Sequence, residues 1–217
     1  MTNQVSVRVF LDFDGTISSR DAGAYFFNHF SSHRNRGTVK LWVDQKISSR
    51  ECLWRECSFV TAGKEEILAS LTPILPREGF GEFLRLMEER GYPFHILSDG
   101  LDFYIESFLE RHGYGRLDIH SNKANFDNGR LYPSFPYFSL GCGLCGTCKG
   151  ERIVALSQPG ELRIFIGDGF SDRCALKEAD LIFARADLAE LCRQKEVDYI
   201  EYDDFFSVAD YFRRSLR

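Results

Sequence analysis

The stretch "VSVRVFLDFDGT", residues 5–16, sets the architecture of the chain. Val5, Val7, Val9, Phe10, Leu11 and Phe13 form an apolar run that first alternates and then becomes continuous, as a central strand covered on both faces does. The run breaks into Asp12, Asp14, Gly15 and Thr16, a polar turn at the carboxyl end of the strand. Alternation puts Asp12 and Asp14 on one side and Phe13 on the other. In an open α/β sheet, ligands bind beyond the carboxyl ends of the strands, so the other strand ends are the places to look for partners of these two carboxylates.

Two more such ends follow. "PFHILSDG" (93–100) ends in Ser98, Asp99 and Gly100, and "LRIFIGDG" (162–169) ends in Asp168, with Asp172 just beyond. Further strands are predicted at "RLDIHSN" (116–122) and "LIFAR" (181–185), and a short one in "DYIEYDD" before a final amphipathic helix. From Pro76 onward, strands alternate with helical stretches, the pattern of a parallel sheet with covering helices. "FDNGRLYP" (126–133) carries Asn-Gly between apolar flanks, a hairpin signal. Between residues 17 and 75 the periodicity is helical, with a capping box at Ser48–Glu51. The sequence thus predicts an α/β fold: a Rossmann-like core over 1–17 and 76–217, a small β-hairpin insertion at about 123–140, and an inserted helical cap over 18–75.

Composition narrows the function. With 217 residues, 44% of them hydrophobic and 27% charged, the chain is an ordinary globular protein. No apolar run approaches the ~20 residues a bilayer demands, and the N-terminus lacks the basic segment and apolar core of a secretion signal. No membrane association and a cytoplasmic location are therefore expected. A net charge of −5 argues against nucleic acid, since phosphate backbones are bound by basic surfaces. The basic cluster "SSHRNRGTVK" (31–40) is too short to reverse that.

Asp near strand ends often caps helices and forms turns, but three strand ends delivering carboxylates and a hydroxyl to one edge point to chemistry. Asp12 and Asp14 raise each other's proton affinity unless a cation neutralises them, and Asp168 adds a third oxygen donor. An oxygen-only donor set suits a hard cation, so Mg²⁺ is the expected metal, in company with a substrate phosphate. "GCGLCGTCKG" (141–150) ends in Lys149, a cation at the start of a helix.

These motifs, in this order, resemble the haloacid dehalogenase superfamily of phosphotransferases, in its phosphoserine phosphatase-like subgroup. "DFDGT" (12–16), Ser98, Lys149 and "GDGFSD" (167–172) are similar to the family's four motifs. The resemblance implies Asp12 as nucleophile, forming an aspartyl phosphate, and Asp14 as the acid and base that serves the leaving group and then water. It implies Mg²⁺ bound by Asp12 and Asp168 and by the backbone carbonyl of Asp14, phosphate held by Ser98, the Gly100 N–H and Lys149, and Asp172 either orienting Lys149 or supporting the metal from behind its direct ligands. Asp99, standing where glycine is usual, falls at the phosphate-binding motif, either turned from the phosphate or meeting the metal side or a cationic substrate group. Asp21, nine residues after Asp12, matches a substrate-facing acid of the subgroup; it reads equally as a helix N-cap. "REGF" (77–80), "FDN" (126–128), the cysteine-rich run and "FAR" (183–185) extend the similarity to methionine-salvage phosphatases and, more distantly, to phosphoethanolamine/phosphocholine phosphatases. The implied partner is a small-molecule phosphate ester, with the enzyme a monomer or homodimer.

A different class of function competes for Cys142, Cys145 and Cys148: a zinc or iron–sulfur protein built on three thiolates of one loop. No Cys or His in compact spacing supplies a fourth ligand, and Cys52, Cys57, Cys174 and Cys192 read as small apolar residues on helix faces. A disulfide or a set of loop-shaping thiols are the other readings. The histidines (29, 33, 95, 112 and 120) have no partner pattern and read as structural. The aromatics Tyr25, Phe26, Phe27, Trp42 and Trp54 either line a substrate pocket or fill the core of the helical segment.

Overall fold

The computed structural model describes residues 6–115 and 117–216. Val5, expected to open the first strand, and Arg116, expected to open the third, lie outside them, as do residues 1–4 and 217. The fold is α/β, with a seven-stranded sheet in the order β4-β3-β2-β1-β5-β6-β7. Strand β1 (Val7–Leu11) lies at the centre, paired in parallel with β2 (Phe94–Leu101) and β5 (Leu162–Gly167). Strands β3 (Ile119–Asp127), β6 (Leu181–Ala184) and β7 (Ile200–Glu201) extend the parallel sheet. Only β4 (Arg130–Ser134) runs antiparallel, joined to β3 through the expected Asn128-Gly129 turn. The hairpin is an outgrowth of β3 and not a separate insertion after it: β3 continues unbroken through Asp127.

The continuous apolar run in β1 has its reason in the two faces of the sheet. Val7, Val9 and Leu11 enter one core with α5 (Phe80–Arg90), α6 (Asp102–Arg111) and α9 (Phe205–Ser215). Phe10 enters the other, with Phe165 of β5, Ile153 of α7 (Lys149–Leu156) and Leu188 of α8 (Ala186–Lys195). All seven are buried to within 2% exposure, and burial of such side chains stabilises by about 1.5–3 kcal/mol each. The strand ends therefore stand on a packed platform, and polar residues there are held in place by the layers beneath them.

After β1 the chain turns tightly through Phe13–Ile17 and leaves the sheet at Ser18, which is bridged to Pro76 where the chain returns. Between them stand α1 (Ala22–Phe30), α2 (Arg36–Val43), α3 (Ser49–Phe59) and α4 (Lys64–Ser70). Asp21 caps α1, accepting from the Ala24 N–H at 2.7 Å, and Ser48 caps α3, accepting from the Glu51 N–H at 3.1 Å. Asp102 opens α6 as its first residue, and its carboxylate accepts the Ala124 N–H of β3 at 2.8 Å. The segment after β5 is a 3₁₀ helix over Phe170–Lys177. His95 and His120, without a visible partner in sequence, meet at Asp118, 2.6 and 3.2 Å from its Oδ2. No helix among the described residues is long and apolar enough to cross a membrane.

Candidate active site

Asp12, the first residue beyond β1, is buried at 4% exposure and hydrogen-bonded through its own N–H to the Ile166 carbonyl of β5 at 2.9 Å. Its Oδ1 faces Lys149 Nζ at 2.6 Å. Lys149, at the start of α7, has no solvent exposure and also bonds Asp172 Oδ1 and Ser171 Oγ, the latter at 3.3 Å. Burial alone would lower its pKa, but the Asp12 and Asp172 charges outweigh that and raise it, so the ammonium is permanent. Asp172 is in turn fixed by the Asp168 and Gly169 N–H groups, which donate to its Oδ2 at 3.1 and 3.0 Å. With both oxygens engaged, Asp172 orients Lys149 and the Asp168 turn.

Asp14 is held differently. Its Oδ1 accepts from the Ala22 and Gly23 N–H groups at 2.9 and 3.2 Å, at the start of α1, and its Oδ2 accepts from Tyr104 Oη at 2.6 Å. Burial and then the charge of Asp21 push this carboxyl up to about 7, against the pull of those three donors. An acid poised near neutrality can donate a proton and take one back. Both carboxylate oxygens are engaged by these donors.

Tyr104 was not legible as a site residue. It lies on α6, and its hydroxyl reaches Asp14 across Gly100: a Cβ at Gly100 would collide with Tyr104 Oη and stand 2.8 Å from Asp14 Oδ2. Gly100 N–H donates to Ser98 Oγ at 3.0 Å, and Ser98 is buried. Gly15 is required for a similar reason. Its φ is +74°, and a Cβ there would overlap the Asp168 carboxylate, which Thr16 Oγ1 also meets at 3.1 Å. Two arginines hold the carbonyls of this turn: Arg77 bonds the Gly15 and Thr16 oxygens, the latter at 3.0 Å, and Arg185 bonds the Gly15 oxygen at 3.2 Å. They belong to "REGF" and "FAR", noted in sequence only as points of similarity.

Asp99 requires a correction. Its carboxylate is not directed to a phosphate position. Oδ1 accepts the Gly146 and Thr147 N–H groups at 3.0 and 2.8 Å and Asn122 Nδ2 at 3.1 Å, while Oδ2 accepts the Ser49 hydroxyl of α3. The four donors engage both carboxylate oxygens, and the residue ties the loop before Lys149 to β3 and to the helical segment. A second correction concerns Cys174: rather than serving as an isolated apolar residue, it comes within 3.6 Å of Cys142 and 3.7 Å of Cys145.

Asp12, Asp168 and Asp172 bring carboxylate oxygens within 4.8 Å of one another. Burial raises Asp12 well above the usual carboxylate range, with Asp172 and Asp168 adding to it and Lys149 opposing. Burial and Asp172 push Asp168 up to about 7. A cluster of oxygens that is short of positive charge despite one buried lysine fits a hard divalent cation. Above this cluster lies a cavity of about 610 Å³. Its floor includes Asp12, Asp14, Ser98 and Asp168; the helical segment contributes Phe27, Val39, Trp42, Val43 and Leu53. Asp21 also lines the cavity while capping α1. Phe26 is buried core, and Tyr25 and Trp54 are exposed.

The family model described as haloacid dehalogenase-like hydrolase matches residues 9–177. The chain belongs to this family. Among curated relatives, the 2-hydroxy-3-keto-5-methylthiopentenyl-1-phosphate phosphatase of Lysinibacillus sphaericus (strain C3-41) is 31% identical over 209 residues, covering 91% of this chain and 90% of the relative. The phosphatase of the same name from Bacillus cereus (strain AH187) is 29% identical over 208 residues, 94% of each chain. A solved phosphoserine phosphatase carrying an analogue of the phospho-aspartyl intermediate shares the fold, with a TM-score of 0.72 at 20% identity over 95% of this chain and 98% of that one. With its hydrolase family and phosphatase relatives along nearly the whole chain, this member is a phosphatase.

Proposed function

We propose that this phosphatase hydrolyses a small phosphate monoester through an aspartyl phosphate on Asp12, with Mg²⁺ held by Asp12, Asp168 and the Asp14 carbonyl. The observation that carries the reading is the buried Lys149–Asp12 pair, 2.6 Å apart, beside a second carboxyl poised near pH 7. Asp12 attacks phosphorus while Lys149 neutralises the nucleophile and the phosphoryl oxygens. Asp14, protonated, gives its proton to the leaving oxygen. As the carboxylate, it then takes one from the water that opens the acyl phosphate. Tyr104 and the α1 N–H groups hold that carboxyl in one orientation through both steps. Ser98 and the Gly100 N–H donate to the phosphate in this reading, Gly100 giving up its bond to Ser98 Oγ. The metal, when bound, supplies charge for the phosphoryl oxygens.

The helical segment 18–75 acts as the cap that samples the leaving group, because the strand-end residues reach only the phosphate. Its wall is apolar at Phe27, Val39, Trp42, Val43 and Leu53, which favours a substrate with an uncharged body. Glu56, a cap carboxyl on the cavity, is pushed up to about 7 by burial and bonded by Asn35 Nδ2 at 2.9 Å. It is a poor partner for a substrate ammonium. These features support an ester of the kind named in the curated relatives, 2-hydroxy-3-keto-5-methylthiopentenyl-1-phosphate, over phosphoserine or phosphoethanolamine. Steady-state kinetics against all three with Mg²⁺ tests the assignment: the highest kcat/KM is expected for the methylthio ester. Equal or higher values for phosphoserine or phosphoethanolamine would refute the substrate while leaving the phosphatase chemistry intact.

A further inference from the structure

The loop that presents Lys149 has little of its own to hold it. Residues 139–148 contain three glycines and no regular structure, and its apolar side chains Leu140 and Leu144 are 89% and 38% exposed. Asp99 anchors one side of it, through the Gly146 and Thr147 N–H groups. On the other side, four sulfurs converge. Cys142, Cys145 and Cys174 are mutually 3.5, 3.6 and 3.7 Å apart, and all pairs among these three and Cys148 lie within 4.8 Å. Cys174 comes from the 3₁₀ helix, 29 residues beyond Cys145 in the chain. All four cysteines are free thiols.

We propose that Cys142, Cys145, Cys148 and Cys174 bind one zinc ion as a structural tetrathiolate centre, separate from the catalytic cation and clamping the Lys149 loop to the 3₁₀ helix. Zinc–sulfur bonds of about 2.3 Å in a tetrahedron set sulfurs about 3.8 Å apart, the spacing seen among the first three. A binuclear or larger iron–sulfur cluster does not match, because it shares its cysteines among several irons, whereas here three sulfurs are close enough to share one ion. The ligand set is soft and closed at four sulfurs, which selects zinc over the magnesium suited to the oxygen cluster of Asp12 and Asp168. Cys145 and Cys148 are buried at 3% and 2% exposure, and Cys142 and Cys174 are half-buried, so the ion has both a shielded seat and a path in. Binding converts four thiols to thiolates and releases their protons, with no redox partner required.

The position gives the centre its consequence. Cys148 immediately precedes Lys149, and Cys174 follows Asp172 by two residues on the same short helix. The ion thus ties together the two segments whose side chains form the buried Lys149–Asp172 pair. Even where they pack without it, the fit is close: a Cβ at Gly150 would lie 2.6 Å from the Cys174 carbonyl oxygen.

The test is metal analysis of the full chain, produced in zinc-supplemented medium, purified under reducing conditions and dialysed briefly against EDTA to remove magnesium. Mass spectrometry of metals is expected to find one zinc per chain, and X-ray absorption four sulfur neighbours at about 2.3 Å. Cys142→Ser and Cys174→Ser should each lose most of the zinc. Should those variants not fold, cobalt(II) exchanged into the unaltered protein provides the readout, as thiolate-to-cobalt charge transfer with the visible bands of a tetrahedral site. Stoichiometric iron, a mass two hydrogens short that reveals a disulfide, or protein that holds no zinc and takes up neither added zinc nor cobalt would overturn the proposal. So would full zinc retention in folded Cys174→Ser.

Discussion

Replacing Asp99 by alanine separates a residue that builds the active site from one that touches substrate. In the structure its carboxylate accepts two backbone N–H groups of the Lys149 loop, at 3.0 and 2.8 Å, together with Asn122 and Ser49. Bonds to a charged acceptor contribute about 1.5–3 kcal/mol each. Asp99 is half-buried, so the lower figure applies, and the two backbone bonds together give a loss of about 3 kcal/mol. For a chain of this size 1 kcal/mol moves the melting temperature by about 2–4 °C, so Asp99→Ala should melt about 6–12 °C lower. Asp99→Asn, which retains an acceptor oxygen, should lose less than half of that. Hydrogen exchange should accelerate at Gly146 and Thr147, and kcat should fall in step because Lys149 stands two residues further on. A carboxylate facing the phosphate gives the opposite signature. Its removal would relieve repulsion, tightening inhibition by inorganic phosphate and lowering KM at an unchanged melting temperature, and that result would rule out Asp99 as an anchor of the loop.

Other perturbations report on the remaining groups. Lys149→Met leaves two buried carboxylates facing each other, and breaking such a pair costs about 3–5 kcal/mol; melting in EDTA should drop by 6 °C or more at about 2 °C per kcal/mol. Tyr104→Phe removes a donor that holds Asp14 down, so the alkaline limb of kcat/KM should move up by about one pH unit, from about 1.4 kcal/mol per unit; a limb that stays or moves down contradicts the acid role. Asp14 and Asp168 titrate higher in the folded chain, each at about 7, than in the unfolded one at about 4. Their contribution to the stability of the metal-free protein is therefore lost as pH rises through that window. Because Mg²⁺ competes with the Asp168 proton, the melting-temperature gain on adding it should be small at pH 5 and several degrees larger at pH 8, as differential scanning calorimetry can measure.

Much of this was legible in the sequence because it is local. The apolar run of β1 and its abrupt polar end follow from a strand buried on both faces, and the same logic finds Ser98 and Asp168 at neighbouring ends. The Asn-Gly hairpin and the caps at Asp21 and Ser48 are short-range chemistry. What escaped is set by tertiary geometry. Tyr104 reads as one more aromatic on an amphipathic helix, and only the Cβ-free space at Gly100 lets its hydroxyl reach Asp14. Asp99 belongs to a strand-end motif, but the direction of its side chain depends on donors in a distant loop. Cys174 sits far beyond the cysteine run and on a stretch that reads as a helix face; α7 packing on the 3₁₀ helix closes that gap. Arg77 and Arg185 lie far apart in the sequence and meet at the carbonyls of one turn.

The central claim is that Asp12 carries the phosphoryl group. Acid-quenching the Mg²⁺-loaded enzyme during turnover, followed by peptide mapping by mass spectrometry, tests it most directly. A phosphoryl group on the Asp12 carboxylate is expected, accumulating in Asp14→Asn and absent from Asp12→Asn, which should be inactive yet folded. Turnover with no phosphoryl group on Asp12, or an Asp12→Asn enzyme with near-normal rates, would contradict it.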